Sequence, residues 1–340
     1  DLATAVAANT TLRSLDLSTN PLTDIKLYAK DTVSSGVGAA AAKLTRAPTA
    51  KDLHAKEAEG ADRKGLHALA EAIKVSPSLA EITLEGGKLP VVSLKGANAK
   101  VKAIDLSRRN LSFLSAIFLG TLLEMNSTIT DLTLHSNELS PLGAKFIVER
   151  LSSSIKMLDI ANIIRVEDKR SDKQGNKKGE ARNSVGYGVT PRTAAMDREV
   201  PSEHLEELWA AVTRLNSLEK LSMDRDYLLD LKHGRLALPT IGQLTNLKTL
   251  TLAGNRLTSM PEDICLIKGL KVLMLHSNRL TELPISIGQL EYLEKIDLKS
   301  NRLAVLPTTI SQLRFLKQLD ASDNLLVSLE PSICDLGAIE

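Results

Sequence analysis

The chain has 340 residues, of which 43% are hydrophobic, so it can bury a sizeable core. Aromatic residues make up only 3%, and leucine and alanine must therefore fill that core. The net charge of +2 indicates no particular class of partner, and no run of 18 apolar residues is present that could span a membrane.

The first predicted elements are a short helix at the start of the chain and a strand over Leu12–Leu17. In that strand alternating leucines place apolar side chains on one face. An Ala-rich insertion follows at about 25–60. Its Gly36-Val37-Gly38 stretch formally matches a dinucleotide-binding motif, but no apolar strand precedes it, so we predict no cofactor site there.

Four further strands are predicted before residue 164, each around a pair of aliphatic residues two apart. They cover Leu79–Leu84, Val101–Leu106, Ile129–Leu134 and Ile155–Ile160, and helices are expected at about 65–73, 114–123 and 143–151. Where the fourth strand is followed by Asn137, the second and third are followed by Gly87 and Arg109, and we expect those two turns to be less regular.

Residues 165–200 carry many lysines and arginines mixed with acids, glycines and serines, and contain a single aromatic residue. Such a composition predicts a basic, flexible insertion that is dispensable for folding. A nucleic-acid site is not favoured, because stacking residues and a continuous basic surface are both missing. A helix is expected to begin at Pro201, and a strand follows around Leu218–Met223.

A 23-residue repeat then runs from Leu247 to Ile333. Each copy contains Leu-x-x-Leu-x-Leu-x-x-Asn-x-Leu, and the first three close with Met-Pro or Leu-Pro and then Ile. One such unit cannot bury its leucines alone, whereas stacked copies share a continuous core. An asparagine amide both donates and accepts hydrogen bonds, so a stacked column can satisfy the turn backbone. That column comprises Asn255, Asn278, Asn301 and Asn324.

These repeats resemble the leucine-rich repeat family. Residues 1–164 resemble its ribonuclease-inhibitor class, and residues 201–340 resemble the intracellular class with Leu-Pro repeats found in Ras-pathway scaffolds. The resemblance implies an α/β fold, a right-handed solenoid curved like a horseshoe with parallel strands on its concave face. The chain starts and stops within repeats, so we expect a piece of a longer protein, cut within a further repeat.

Cys265 and Cys334 occupy the same repeat position but are 69 residues, or three repeats, apart. Three coils at about 4.8 Å each separate them by roughly 14 Å, which is too far for a disulfide. Disulfide-linked end caps of the kind seen in secreted relatives are not apparent either. We therefore expect free thiols and a cytoplasmic location.

No catalytic or metal-binding pattern is found. The six histidines share no metal-ligand spacing with each other or with the cysteines, so we expect no enzyme, no cofactor and no small-molecule substrate. His135 and His276 both lie in Leu-His-Ser-Asn, on the open side of their strands.

Residues between the strand leucines should point to the concave side, where ten acids outnumber five bases. We therefore predict a non-catalytic protein-binding scaffold whose partner carries a basic patch. The alternatives are a regulator of a small GTPase, kinase or phosphatase, and a structural subunit of a large assembly. The predicted concave contacts are Asp105, Asp131, His135, Asp224, His276, Lys295, Asp297, Lys299 and Asp320, and the predicted rim contacts are Arg256, Arg279 and Arg302.

Overall fold

The computed structural model describes residues 2–17, 64–84, 87–163, 202–225, 241–328 and 331. The insertions predicted at about 25–60 and 165–200, as well as Cys334, lie outside the described residues. The α-helices of the described part are α1 (Leu2–Ala8), α2 (Lys64–Val75), α3 (Val91–Leu94), α4 (Phe113–Leu123), α5 (Ser140–Val148) and α6 (Ser202–Val212).

Short strands alternate with these helices, and most are centred on a buried leucine or isoleucine. They are β1 (Ser14–Asp16), β2 (Glu81–Leu84), β3 (Gly87–Pro90), β4 (Ala103–Asp105), β5 (Asp131–Thr133), β6 (Met157–Asp159), β7 (Lys220–Ser222), β8 (Thr249–Thr251), β9 (Val272–Met274), β10 (Lys295–Asp297) and β11 (Gln318–Asp320). Every strand expected from the leucine pattern is present.

Strands β4 to β11 form one sheet of eight parallel strands in chain order, whereas β1, β2 and β3 form a separate sheet. The register aligns the central leucines: Leu250 lies opposite Leu221 on one side and Leu273 on the other. Each strand therefore adds one layer to the same column of buried side chains. The architecture is an α/β solenoid of stacked coils, as predicted.

The layer behind the strands changes along the chain. From α1 to α6 the coils carry α-helices that pack on one another, with the exception of short α3. Later coils carry 3₁₀ helices instead, at Ile241–Gln243, Glu262–Leu266, Ile285–Gln289 and Thr308–Gln312. A proline with extended ψ precedes each of the last three. A coil of 23 residues that enters its back layer through proline has room for only five helical residues there.

Helix α4 is buried on all sides, and its residues 114–123 are all shielded from solvent. It packs between α2 and α5 and is therefore hydrophobic all round. Two glycines allow its close approach to α5. A Cβ on Gly120 would lie 2.7 Å from the ring of Phe146, and one on Gly143 would lie 3.1 Å from Ala116.

The two turns expected to be irregular differ from each other. At Gly87, whose φ is 104°, the chain reverses into β3, which runs antiparallel to β2. At Arg109 the prediction was wrong, because its N–H donates to Asn137 Oδ1 at 3.0 Å as in a regular turn. Helix α5 also begins earlier than expected, since Pro141 lacks an N–H and suits the first turn.

Candidate interaction surface

The parallel sheet presents one side to solvent. In strands β4 to β11 the central residue points into the core, and the two residues beside it are half-buried or exposed. We call these flanking side chains, together with the residue two positions after each strand, the open face. It corresponds to the surface that the sequence predicted to be concave.

Charge on the open face is divided into three zones. Strands β4 to β6 carry Asp105, Asp131 and Asp159, and strands β10 and β11 carry both acids and lysines. Between them, β8 and β9 carry no charge. We call this uncharged part the neutral window, and it consists of Thr249, Thr251, Ala253, Val272 and Met274. The acidic surface predicted from the sequence is thus interrupted at its middle.

Aspartates at the end of a strand hold the turn that follows. Asp105 Oδ1 accepts the Ser107 N–H at 2.8 Å, and Asp320 Oδ1 accepts the Ser322 N–H at 2.9 Å. Asp297 makes the same contact two residues along, at 3.0 Å. These hydrogen bonds lower the pKa of Asp105 and Asp320 from the usual value. The Leu-Asp-Leu pattern therefore has a structural role in addition to any partner contact.

Asp224 differs from the other predicted contacts because it is largely enclosed. Its Oδ1 accepts the Ala253 N–H of the next coil at 2.7 Å. Burial raises the pKa of this carboxyl, while that hydrogen bond acts in the opposite direction. We therefore assign Asp224 to coil–coil packing. This burial depends on the neighbouring coil and has no signal in the local sequence.

The two histidines occupy equivalent positions just beyond β5 and β9. His135 Nδ1 lies 3.1 Å from Ser136 Oγ, and His276 Nδ1 lies 3.2 Å from Ser277 Oγ. Lys299 lies at the same position beyond β10, with its Nζ 3.8 Å from Asp323. The predicted contacts therefore form two groups, with Asp105, Asp131 and His135 at one end and His276, Lys295, Asp297, Lys299 and Asp320 at the other.

The asparagine column has the predicted structural role. Asn278 Oδ1 accepts the N–H groups of Asn255 and Leu257, both at 2.9 Å, and these belong to the preceding coil. Its Nδ2 donates to the carbonyls of Leu252 and Leu275 at 3.0 and 2.8 Å. Equivalent contacts are made by Asn137, Asn301 and Asn324. Each asparagine thus joins its own turn to the coil before it.

Sequence reasoning missed a second column, of residues with left-handed backbone. It contains the residue directly before each asparagine position: Arg108, Ser136, Asn162, Arg225, Gly254, Ser277, Ser300 and Asp323 have φ between 53° and 70°. Their N–H groups extend the sheet ladder, as in Ser277 to Lys299 O at 2.8 Å. The only signal was that none of these residues is β-branched.

The predicted rim arginines follow the asparagines directly. Backbone hydrogen bonds stack them, since the Arg279 N–H donates to Leu257 O and the Arg302 N–H to Leu280 O. Burial and the charges of Arg256 and Arg302 lower the pKa of Arg279, and no carboxylate contributes to that shift. Three cations therefore repel one another along this edge, and an anionic partner would relieve that repulsion.

Among the described residues, no group of three or more His, Cys, Asp and Glu side chains is placed to hold a metal ion. Within the same part of the chain, no helix has the length and apolar character needed to cross a membrane.

Three leucine-rich repeat family profiles match the sequence, at residues 8–25, 246–266 and 268–326. No curated protein matches it. Similar solved structures include a leucine-rich repeat protein of Leptospira interrogans, with 23% identity over 73% of this chain and 62% of that one, at a TM-score of 0.41.

A TDR receptor matches with 18% identity over 73% of this chain and 39% of its own, at a TM-score of 0.42. The leucine-rich repeat ectodomain of the receptor kinase SOBIR1 from Arabidopsis thaliana matches with 35% identity over 30% and 57%, at a TM-score of 0.28. The chain spans less than two thirds of the length of each of these three proteins.

Proposed function

Because this chain is a leucine-rich repeat protein, we propose that it is a non-catalytic scaffold that binds a protein partner on the open face and the arginine rim. Leucine-rich repeat domains generally mediate protein–protein interaction. The observation that carries the proposal is the open face itself. Eight strands are held in one register and expose two side chains each, so a partner meets a preorganised surface.

The neutral window suits the centre of such an interface. Central interface contacts are depleted in charge and rich in residues such as Met, while charged residues surround them. Met274 and Val272 are both half-buried, so further burial by a partner would remove apolar surface from water. The unbranched thioether of Met274 can adapt its shape to that partner.

The flanking acids define the charge of the partner. Asp105, Asp131 and Asp159 lie at one side of the window, and Asp297 and Asp320 at the other. A partner with basic groups around an apolar centre complements this arrangement. Complementary charges act mainly on the association rate and are screened by salt over a Debye length of about 8 Å.

The test compares Met274→Arg with Thr308→Arg, an equal change on an exposed residue of the 3₁₀ layer behind the sheet. Each full-length variant is used in affinity purification with mass spectrometry. Partners that the wild type and Thr308→Arg retain, and Met274→Arg loses, support the open face. If Met274→Arg folds and retains every partner, the open face is not the site.

A second arm separates the face from the rim. Asp297→Asn with Asp320→Asn removes two charges but keeps an acceptor at each turn, and Arg279→Gln with Arg302→Gln neutralises the rim. The face proposal expects the aspartate pair to slow association and reduce its salt dependence. Loss of binding only in the arginine pair would assign recognition to the rim alone.

A signalling regulator is the second candidate, favoured by the coils that close with Met260-Pro261, Leu283-Pro284 and Leu306-Pro307. A small GTPase, kinase or phosphatase among the window-dependent partners would favour it, whereas many stoichiometric subunits would favour a structural role in an assembly. We place the protein in the cytoplasm, a proposal supported by the cysteine spacing and by the buried, free thiol of Cys265.

A further inference from the structure

Two exposed aromatic rings stack on each other at the edge of the sheet where strands β10 and β11 begin. Tyr292 and Phe315 have ring centroids 5.7 Å apart and planes at 11° to each other. They are 53% and 52% exposed. Of the described Phe, Tyr and Trp residues, the others are buried or partly buried. Two large apolar groups thus remain in water in a chain that has few aromatic residues.

A charged column lies two residues beyond the rings on the same coils. Glu294 binds Lys271 at 2.8 Å on one side and Lys317 at 2.9 Å on the other. These two lysines lower the pKa of Glu294 to about 2, so it remains ionised. The column continues with Lys248, which binds Glu219 at 2.6 Å. Both glutamates are already shared between two lysines, which leaves excess positive charge along the edge.

The residue just before each ring position adds to that excess. Lys268 and Arg314 are exposed there, together with Glu291. The two columns beside the rings therefore hold five cations and two acids in the last four described coils: Lys248, Lys268, Lys271, Arg314 and Lys317 against Glu291 and Glu294. We call the ring pair and these two columns the aromatic edge.

We infer that the aromatic edge is a second docking surface, for a protein segment that presents an apolar side chain flanked by carboxylates. Aromatic residues and arginine are enriched at protein interfaces, and apolar contact with the rings is the anchor. The surrounding cations select acidic neighbours. The open face calls for a basic partner, so the two surfaces differ in the partner they select and in their place on the sheet.

Single-stranded nucleic acid fits this surface less well. Such ligands insert bases against free aromatic faces, whereas here the rings already stack on each other. Glu291 and Glu294 also lie in the columns beside the rings and would repel phosphates. A carboxylate-flanked side chain needs neither a gap between the rings nor a continuous basic path.

The probe is a fluorescein-labelled synthetic peptide with tryptophan and leucine at its centre and two glutamates on each side. Fluorescence anisotropy compares the full chain with Tyr292→Ser/Phe315→Ser, with Arg314→Glu, and with Lys100→Glu, a matched charge reversal at an exposed residue before β4. We expect the ring variant to bind at least about tenfold more weakly, Arg314→Glu several-fold more weakly, and Lys100→Glu like wild type.

Two control peptides, with lysines for glutamates or alanines for the apolar pair, should bind at least about tenfold more weakly than the probe. Equal binding of the lysine peptide, or probe binding unchanged in a folded ring variant, overturns the inference. So does tighter binding of an oligothymidine, or sedimentation as a dimer that the ring variant dissociates. Met274→Arg should leave probe binding unchanged, so failure here is distinguishable from failure of the open face.

Discussion

Replacing Asn278 with alanine tests the load carried by the asparagine column. Asn278 is 7% exposed, and its Oδ1 accepts two N–H groups of the preceding coil. Alanine leaves both donors buried without this acceptor. The carbonyl of Leu275 is less affected, because it also accepts from Asn301 Nδ2 at 3.0 Å. The stability loss therefore comes mainly from the two N–H groups.

A buried donor without a partner costs about 1–3 kcal/mol, so two of them predict a loss of about 2–6 kcal/mol. Asn324 is the matched control, because it is half-buried and its Oδ1 accepts only the Leu303 N–H among the contacts found. Asn324→Ala should therefore lose about 1 kcal/mol. The difference between the two variants tests the mechanism better than either value alone.

Equilibrium unfolding in urea, followed by far-ultraviolet circular dichroism, measures both losses. Neighbouring coils stabilise each other, so the slope must be compared between variants before midpoints are converted to free energies. An Asn278→Ala midpoint equal to that of wild type would show that the turn does not depend on the amide. A larger loss for Asn324→Ala would show that burial does not set the size of the effect.

Three other predictions follow from particular contacts. The pKa of Glu294 is lowered to about 2 by two lysines, so its carboxylate stabilises the fold above the ordinary pKa of 4.5, and this contribution is lost as pH falls towards 2. Thermal scans across that range should show a weaker pH dependence for Glu294→Gln. Gly288→Ala places a Cβ 2.6 Å from Thr309 O and should cost about 1–3 kcal/mol, whereas Gly269→Ala, with its nearest neighbour at 3.7 Å, should be almost neutral. Burial raises the pKa of Cys265, so peptide-level mass spectrometry should find it alkylated by iodoacetamide only after denaturation.

The sequence predicted much of the fold because a repeat reports its own geometry. Leucines two residues apart define a strand and its buried side, and a period of 23 residues defines which side chains stack. The strand around Leu273 and the role of Asn278 could therefore both be predicted. The helix over 65–73 followed in the same way from its apolar spacing, and it forms as Lys64–Val75.

The candidate site was predicted less completely, because exposure and charge depend on neighbouring coils. Asp224 and Asp297 are both aspartates on the open side, yet the next coil encloses only Asp224. The neutral window becomes visible when strands from β6 to β10 are placed side by side. The reversal at Gly87 was not predicted either, since a glycine permits a left-handed turn without specifying one.

The amino-acid sequence by itself thus determined the repeat, the buried face of each strand and the asparagine turns. These depend on spacing within one coil, which the order of residues contains directly. The tertiary structure alone decided the left-handed column, the shared ion pairs of Glu294 and the stacking of Tyr292 on Phe315. Those features arise between coils, where register brings together residues about 23 positions apart, and side-chain direction then decides which of them touch.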